Sequence, residues 1–190
     1  MRVIGGAARG RRLKVPKGQS VRPTAARVKE SLFNILPHDF SALRVLDLFA
    51  GSGNVSIEAL SRGAEQAILV DESPRTAAVI KENLSRLELS ARAQVWIAPV
   101  ARSLRKLARA GESFDLIFLD PPYDRQWVGT TLKAIGETQL LRSNGKVVAE
   151  HSARETVQSR YGDLVLYDQR RYGDTLLSFF TKESSAQSSI

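Results

Sequence analysis

The chain has 190 residues, enough for one domain with a full core and too few for two. Hydrophobic residues make up 43% and charged residues 25%, as in globular chains, and the absence of cysteine excludes disulfides, thiolate catalysis and cysteine zinc sites. The net charge of +8 is unevenly spread: residues 1–40 carry Arg2, Arg9, Arg11, Arg12, Lys14, Lys17, Arg22, Arg27 and Lys29 against only Glu30 and Asp39. The rest of the chain holds 19 basic and 18 acidic residues. Basic charge confined to one segment points to a polyanion, because neutralising phosphates releases condensed counterions. No apolar run has the length of a signal peptide core or a membrane span, so the expectation is a cytoplasmic protein without a membrane partner.

In chain order, Arg2–Gly5 and Arg12–Val15 flank Gly5, Gly6 and Gly10 and read as a β-hairpin or ribbon. Pro23-Thr24 opens a helix with Thr24 as its cap and with Val28, Leu32, Ile35 and Leu36 on one face. Arg27 and Lys29 lie off that stripe and are expected to face phosphate. Pro37 ends the helix. Strand and helix then alternate: strands at 44–49, 66–71, 93–97, 114–119 and 146–150, and helices at 54–62, 74–87, 100–110 and 127–136. The helix at 100–110 is basic. Two last strands, near 164–168 and 175–180, have no helix between them and are expected to pair antiparallel. The pattern predicts an α/β, Rossmann-like, doubly wound sheet of seven mostly parallel strands with the last one antiparallel. Residues 1–40 would be a basic hairpin-and-helix extension, 41–182 the catalytic domain and 183–190 a polar tail.

Ligands of such sheets bind outside the carboxyl ends of the strands, so motifs there carry the chemistry. The first is Val45-Leu46-Asp47-Leu48-Phe49-Ala50-Gly51-Ser52-Gly53, a strand running through a glycine turn into a helix N-terminus. Glycines allow close approach of a ligand, and the helix end offers N–H groups and positive dipole. A dinucleotide fingerprint would need a third glycine, where Ser56 stands. Asp71, at the end of the next strand, can accept ribose hydroxyls from either kind of adenosine cofactor. Asp47 would repel a pyrophosphate and attract the ammonium of a methionine moiety. Two glycines alone are an ordinary βα turn; with both acids the set favours S-adenosylmethionine.

The sharpest motif is Asp120-Pro121-Pro122-Tyr123, which ends the fourth strand. Two prolines can simply stop a strand. They also leave carbonyls and a carboxylate pointing into one space beside an aromatic ring. An exocyclic amine on a base is a poor nucleophile because its lone pair is delocalised. Accepting its N–H groups at Asp120 and the Pro121 carbonyl would turn that lone pair toward a sulfonium methyl, and Tyr123 could stack on the base. No metal is required: His38 and His151 form no ligand cluster and are read as surface or loop residues.

The chain resembles the bacterial 16S ribosomal RNA guanine-N2 methyltransferases of the small subunit, members of the class I methyltransferases. The likeness rests on Arg2–Gly6 with Arg9-Gly10-Arg11, on Arg22-Pro23-Thr24 with Arg27–Glu30, on Leu46–Gly53 followed by Glu58–Gly63, on Asp120–Tyr123 and on Tyr172-Gly173-Asp174. It implies catalytic roles for Asp120, Pro121, Pro122 and Tyr123. Cofactor contacts are implied at Asp47, Phe49, Ala50, Gly51, Gly53, Asp71 and Glu72, and RNA contacts at Arg9, Arg11, Arg12, Arg22, Thr24 and Arg27. The implied partner is 16S ribosomal RNA, free or within a partly assembled subunit, met by a monomer. One stretch departs from the pattern: Ile97-Ala98-Pro99-Val100 lacks the acid or amide that related enzymes set against adenine, leaving backbone and apolar packing. Asn54 and Ser56 also replace smaller or apolar residues. An adenine-N6 methyltransferase of DNA or RNA would share the Asp-Pro-Pro-Tyr chemistry and is separated only by the N-terminal segment. A nicotinamide oxidoreductase is disfavoured by Ser56 and Asp47, and a non-catalytic RNA-binding module by the intact Asp-Pro-Pro-Tyr.

Overall fold

A computed structural model describes residues 1–16, 23–37, 39–122 and 127–183, with residues 23–25 described by their backbone alone. Its elements are α1 (Pro23–Ile35), β1 (Arg44–Leu48), α2 (Asn54–Ser61), β2 (Gln66–Asp71), α3 (Pro74–Arg86), β3 (Ala93–Ile97), α4 (Val100–Arg109), β4 (Phe114–Leu119), α5 (Trp127–Gly136), β5 (Leu141–Ser152), β6 (Arg160–Tyr161), β7 (Leu164–Tyr172) and β8 (Thr175–Lys182). A 3₁₀ turn at Ser90–Arg92 precedes β3. The strands form one sheet in the order β3-β2-β1-β4-β5-β8-β7-β6. Pairings from β3 through β5 are parallel, and β8 lies antiparallel between β5 and β7. The expected antiparallel pair is therefore present. The sheet has eight strands rather than seven, because the two-residue β6 adds an edge to β7.

Local chemistry sets the boundaries. Ser73 caps α3 by accepting from the Thr76 N–H, with Pro74 as the first helical residue. The side chains of Ala77, Ile80 and Leu84 on α3 are buried. The helix α1 begins one residue before Thr24, which is therefore inside the first turn and not its cap. The central strands β1, β2 and β4 are buried along nearly their whole length, as parallel strands covered on both faces must be.

Two apolar layers flank the sheet. One joins Val45, Ala67 and Leu69 to α1, α2, α3 and the N-terminal residues Val3, Ala8 and Leu13. The other joins Leu46, Leu48, Ile68 and Val70 to α4 and α5. The described part of residues 1–40 thus shares the core of the sheet domain: Val28, Leu32, Phe33, Leu36 and Phe40 are buried in the first layer. The N-terminal ribbon is narrower than expected, with a single bridge between Arg2 and Arg12. Val3 N–H donates to the Arg11 carbonyl at 3.0 Å and Leu13 N–H to the Met1 carbonyl at 3.0 Å.

Two polar residues lie elsewhere than the sequence suggests. Lys29 does not face phosphate; it is 4% exposed and pairs with the fully buried Glu58 of α2 at 3.1 Å. His151 is a buried residue of β5, not a surface one, with Nε2 2.8 Å from Ser178 Oγ and Nδ1 3.0 Å from the Ser152 carbonyl. Burial lowers its pKa. His38 lies outside the described residues.

Candidate active site at the carboxyl edge of the sheet

The strand order reverses between β1 and β4, and both strands end at the same edge. The glycine turn leaves β1 there, and Asp120 follows the last residue of β4. Its N–H donates to the Leu48 carbonyl at 3.4 Å, so the Asp-Pro-Pro segment starts directly beside the turn. Asp120 and Pro122 are exposed and Pro121 is buried. Tyr123 lies outside the described residues.

The turn is held at several points. Ala50 N–H donates to the Val70 carbonyl at 3.0 Å, and Gly53 N–H donates to the Ala50 carbonyl at 2.8 Å. Gly51 N–H donates to Asp71 Oδ2 at 3.1 Å, while Asp71 Oδ1 accepts from Ser73 N–H at 2.8 Å. Asp71 thus ties the turn to the end of β2, and it stays half-buried at the edge. Glu72, next in the chain, is exposed. Gly53 has φ +73°, and a Cβ there would come within 3.1 Å of Leu69 Cδ2, so both conformation and space call for glycine. Phe49 has φ +62°, a left-handed conformation that costs a non-glycine residue energy, and such strain collects at ligand sites. Its ring lies 6.3 Å from that of Trp127, the first residue of α5.

Asp47 is 2% exposed beneath α2. Gly53 caps that helix without a side chain. Asp47 supplies the missing acceptor: its Oδ2 receives the Ser56 hydroxyl at 2.8 Å and the Ser56 N–H at 3.3 Å. Burial pushes its pKa up to about 7 against those hydrogen bonds, and Asp120 and Asp71 add to the rise. Three carboxylates therefore converge on one edge.

Of the sequence-predicted residues, Asp47, Phe49, Ala50, Gly51, Gly53, Asp71, Asp120, Pro121 and Pro122 cluster along this edge. Arg9, Arg11, Arg12 and Arg27 are exposed on the N-terminal layer, with Arg11 Nη2 donating to the Arg86 carbonyl at 2.8 Å. Arg22 and the Thr24 side chain lie outside the described residues. The sequence marks Ile97–Val100 as apolar packing for adenine without singling out Ile97, which is 49% exposed at the end of β3, and it does not mark Trp127, 39% exposed. A large apolar residue closing a strand at this edge was the available signal for Ile97. Also unforeseen was the anchor inside the first layer, which joins the N-terminal ribbon, α1 and α2. Glu58 accepts from Ile4 N–H at 2.8 Å, Gly5 N–H at 2.7 Å, Lys29 Nζ at 3.1 Å and Arg62 Nε at 3.0 Å. Among the described residues no group of three or more His, Asp or Glu could hold a metal, and no helix is long and apolar enough to cross a membrane.

Known proteins bear the same layout. The chain is 44% identical to YlbH of Bacillus subtilis (strain 168), covering 96% of this chain and 99% of that protein. It is 29% identical to "Ribosomal RNA small subunit methyltransferase D" of Escherichia coli (strain K12) across 99% of this chain and 93% of that one. The solved structure of yhhF from Escherichia coli superposes with a TM-score of 0.83 at 30% identity, over 97% of this chain and 99% of that one. A family model described as "Conserved hypothetical protein 95" matches residues 1–181, from the N-terminal ribbon to the last strand, and the chain belongs to that family.

Proposed function

We propose that this chain is a methyltransferase that moves a methyl group from S-adenosylmethionine to the exocyclic N2 amine of a guanine in small-subunit ribosomal RNA. The observation that carries the reading is the adjacency of Asp120-Pro121-Pro122 to the glycine turn at the reversal of strand order. The donor set at that edge fits the cofactor. Asp71 offers a half-exposed carboxylate for ribose hydroxyls and Ile97 an exposed apolar surface for adenine, while Asp47, buried beneath the glycine turn, is assigned to the ammonium side of the cofactor. When bound, S-adenosylmethionine supplies an electrophilic methyl on a sulfonium.

The protein's own part is orientation. Asp120 and the Pro121 carbonyl accept the amine's N–H groups and aim its lone pair, while Pro121 and Pro122 keep that backbone stiff and free of competing N–H donors. Phe49 and Trp127, whose rings lie near each other at this edge, offer aromatic surface to the extruded base, and Tyr123 is assigned the stacking role. Arg9, Arg11, Arg12, Arg22, Thr24 and Arg27 are assigned to RNA phosphates. Ribosomal RNA is supported by the name of the Escherichia coli relative and by the basic N-terminal segment. A cytoplasmic monomer acting on 16S RNA, free or in a partly assembled subunit, completes the proposal.

The test is transfer of labelled methyl to small-subunit RNA, to its assembly intermediates and to duplex DNA, followed by nucleoside identification. N2-methylguanosine supports the reading, and N6-methyladenosine replaces it with the adenine alternative. Asp120→Ala should lower turnover by at least a hundredfold while S-adenosylmethionine still binds; unchanged turnover would sink the mechanism.

A further inference from the structure

The helix α4 reads Val-Ala-Arg-Ser-Leu-Arg-Lys-Leu-Ala-Arg and contains no acid. Val100, Ser103, Leu104 and Leu107 are buried against the sheet, while Arg102, Arg105, Lys106 and Arg109 are all exposed. Among the described residues none of these four cations has a carboxylate within 4.0 Å. Lys106 instead lies over the Trp96 ring, 4.5 Å from its centroid.

Folding alone gives this stripe little reason to exist. The pairs Arg102–Arg105, Arg102–Lys106, Arg105–Arg109 and Lys106–Arg109 stand three or four residues apart, the spacings at which like charges on a helix repel. Arg102 is the third helical residue, at the positive end of the dipole, where a cation is unfavourable. Only Lys106 and Arg109, in the last turn, complement it. A polyanion would relieve both penalties together.

Position strengthens the case. The helix starts two residues after β3, and Ala98 N–H donates to the Asp71 carbonyl at 3.2 Å, so its first turn stands beside the proposed cofactor site. It packs on the layer opposite the one holding the N-terminal arginines. We infer that the exposed face of α4 is a second RNA-binding surface, gripping phosphates on the far side of the sheet from the N-terminal segment. The substrate then straddles the carboxyl edge and touches both layers. This rests on the proposed RNA-methylating function.

The experiment measures affinity for deproteinised small-subunit ribosomal RNA between 50 and 200 mM salt, for the unmodified protein and for the R102Q/R105Q/K106Q/R109Q variant. The salt slope should fall by roughly three, since each lost phosphate contact removes about 0.7–0.9 from it. An R102K/R105K/R109K variant should keep the slope. Without RNA, the glutamine variant should unfold at about the same temperature, because relief of the like-charge pairs offsets the lost Lys106–Trp96 contact and the two dipole-complementing cations. A slope within one unit of the unmodified protein's overturns the inference. If the unmodified protein methylates and binds this RNA while the variant's slope is unchanged, α4 alone is ruled out. If it neither binds nor methylates the RNA, the function reading falls and this surface with it.

Discussion

Asp47 carries a carboxylate where charge is costly, and its pKa of about 7 makes that cost readable by pH. The folded value lies above the unfolded one, so between about pH 4 and 7 the native state binds more protons than the unfolded chain. The stabilisation from the protonated form is present below the unfolded value and is lost as pH rises through about 7. The full swing is on the order of 4 kcal/mol, from about 1.4 kcal/mol for each pH unit between the two values. Asp47→Asn keeps an acceptor for Ser56 and removes the ionisation. Denaturant titrations at pH 5 and pH 8 should show the variant gaining stability relative to the unmodified protein as pH rises. S-adenosylmethionine affinity should fall if the carboxylate also meets the ammonium, and equal pH profiles of stability would contradict the burial argument. The sequence shows Asp47 as a charged residue beside a glycine turn. It does not show that Oδ2 caps α2, because Gly53 leaves no local cap and the substitute comes from a strand nine residues away from Ser56.

At the level of elements, helix limits were readable because Ser73-Pro74, Gly63 and Pro37 act locally, through caps and missing N–H donors. Contacts between elements were not. The apolar stripe of α1 suggested a free Lys29, yet Phe33, four residues on, is also buried, so this helix is covered on a wider arc than Val28 and Leu32 alone indicate. Lys29 reaches the Arg2 carbonyl at 2.5 Å and Asn54 Oδ1 at 2.9 Å as well as Glu58. Burial lowers its pKa, while the Glu58 charge and hydrogen bond oppose that fall. Glu58 therefore binds the N-terminal ribbon, α1 and α2 into one unit, and α2 begins at the glycine turn. Glu58→Gln leaves a buried ammonium without its counter-charge, which should cost about 3–5 kcal/mol in urea unfolding. Adding Lys29→Met should return part of that loss, because the stranded cation is then gone. Additive losses in the double variant would show that the two groups act separately.

Across the whole molecule, the alternation of strands and helices made the parallel sheet legible, since crossover handedness and short connections leave few other arrangements. The eighth strand was not, because β6 is two residues long and is held to β7 by pairing rather than by any pattern of its own. The basic N-terminal segment was also visible, but not that it is built into the core, which needs contacts such as the Ala7 N–H donating to the Ser61 carbonyl at 2.8 Å. That packing makes residues 1–16 a fixed platform rather than a loose tail. Arg9, Arg11 and Arg12 are exposed on it, and Arg11 is steadied by the Arg86 carbonyl. A fixed array should meet phosphates at defined places, so R9Q/R11Q/R12Q should lower the salt slope of RNA binding by roughly two to three. Its S-adenosylmethionine affinity should be unchanged, because these side chains contact neither the glycine turn nor Asp71. Turnover at saturating RNA should also hold, with the loss appearing in KM, since anchoring contacts bind substrate and transition state alike. A fall in turnover with KM unchanged would mean that the platform orients the reacting base itself.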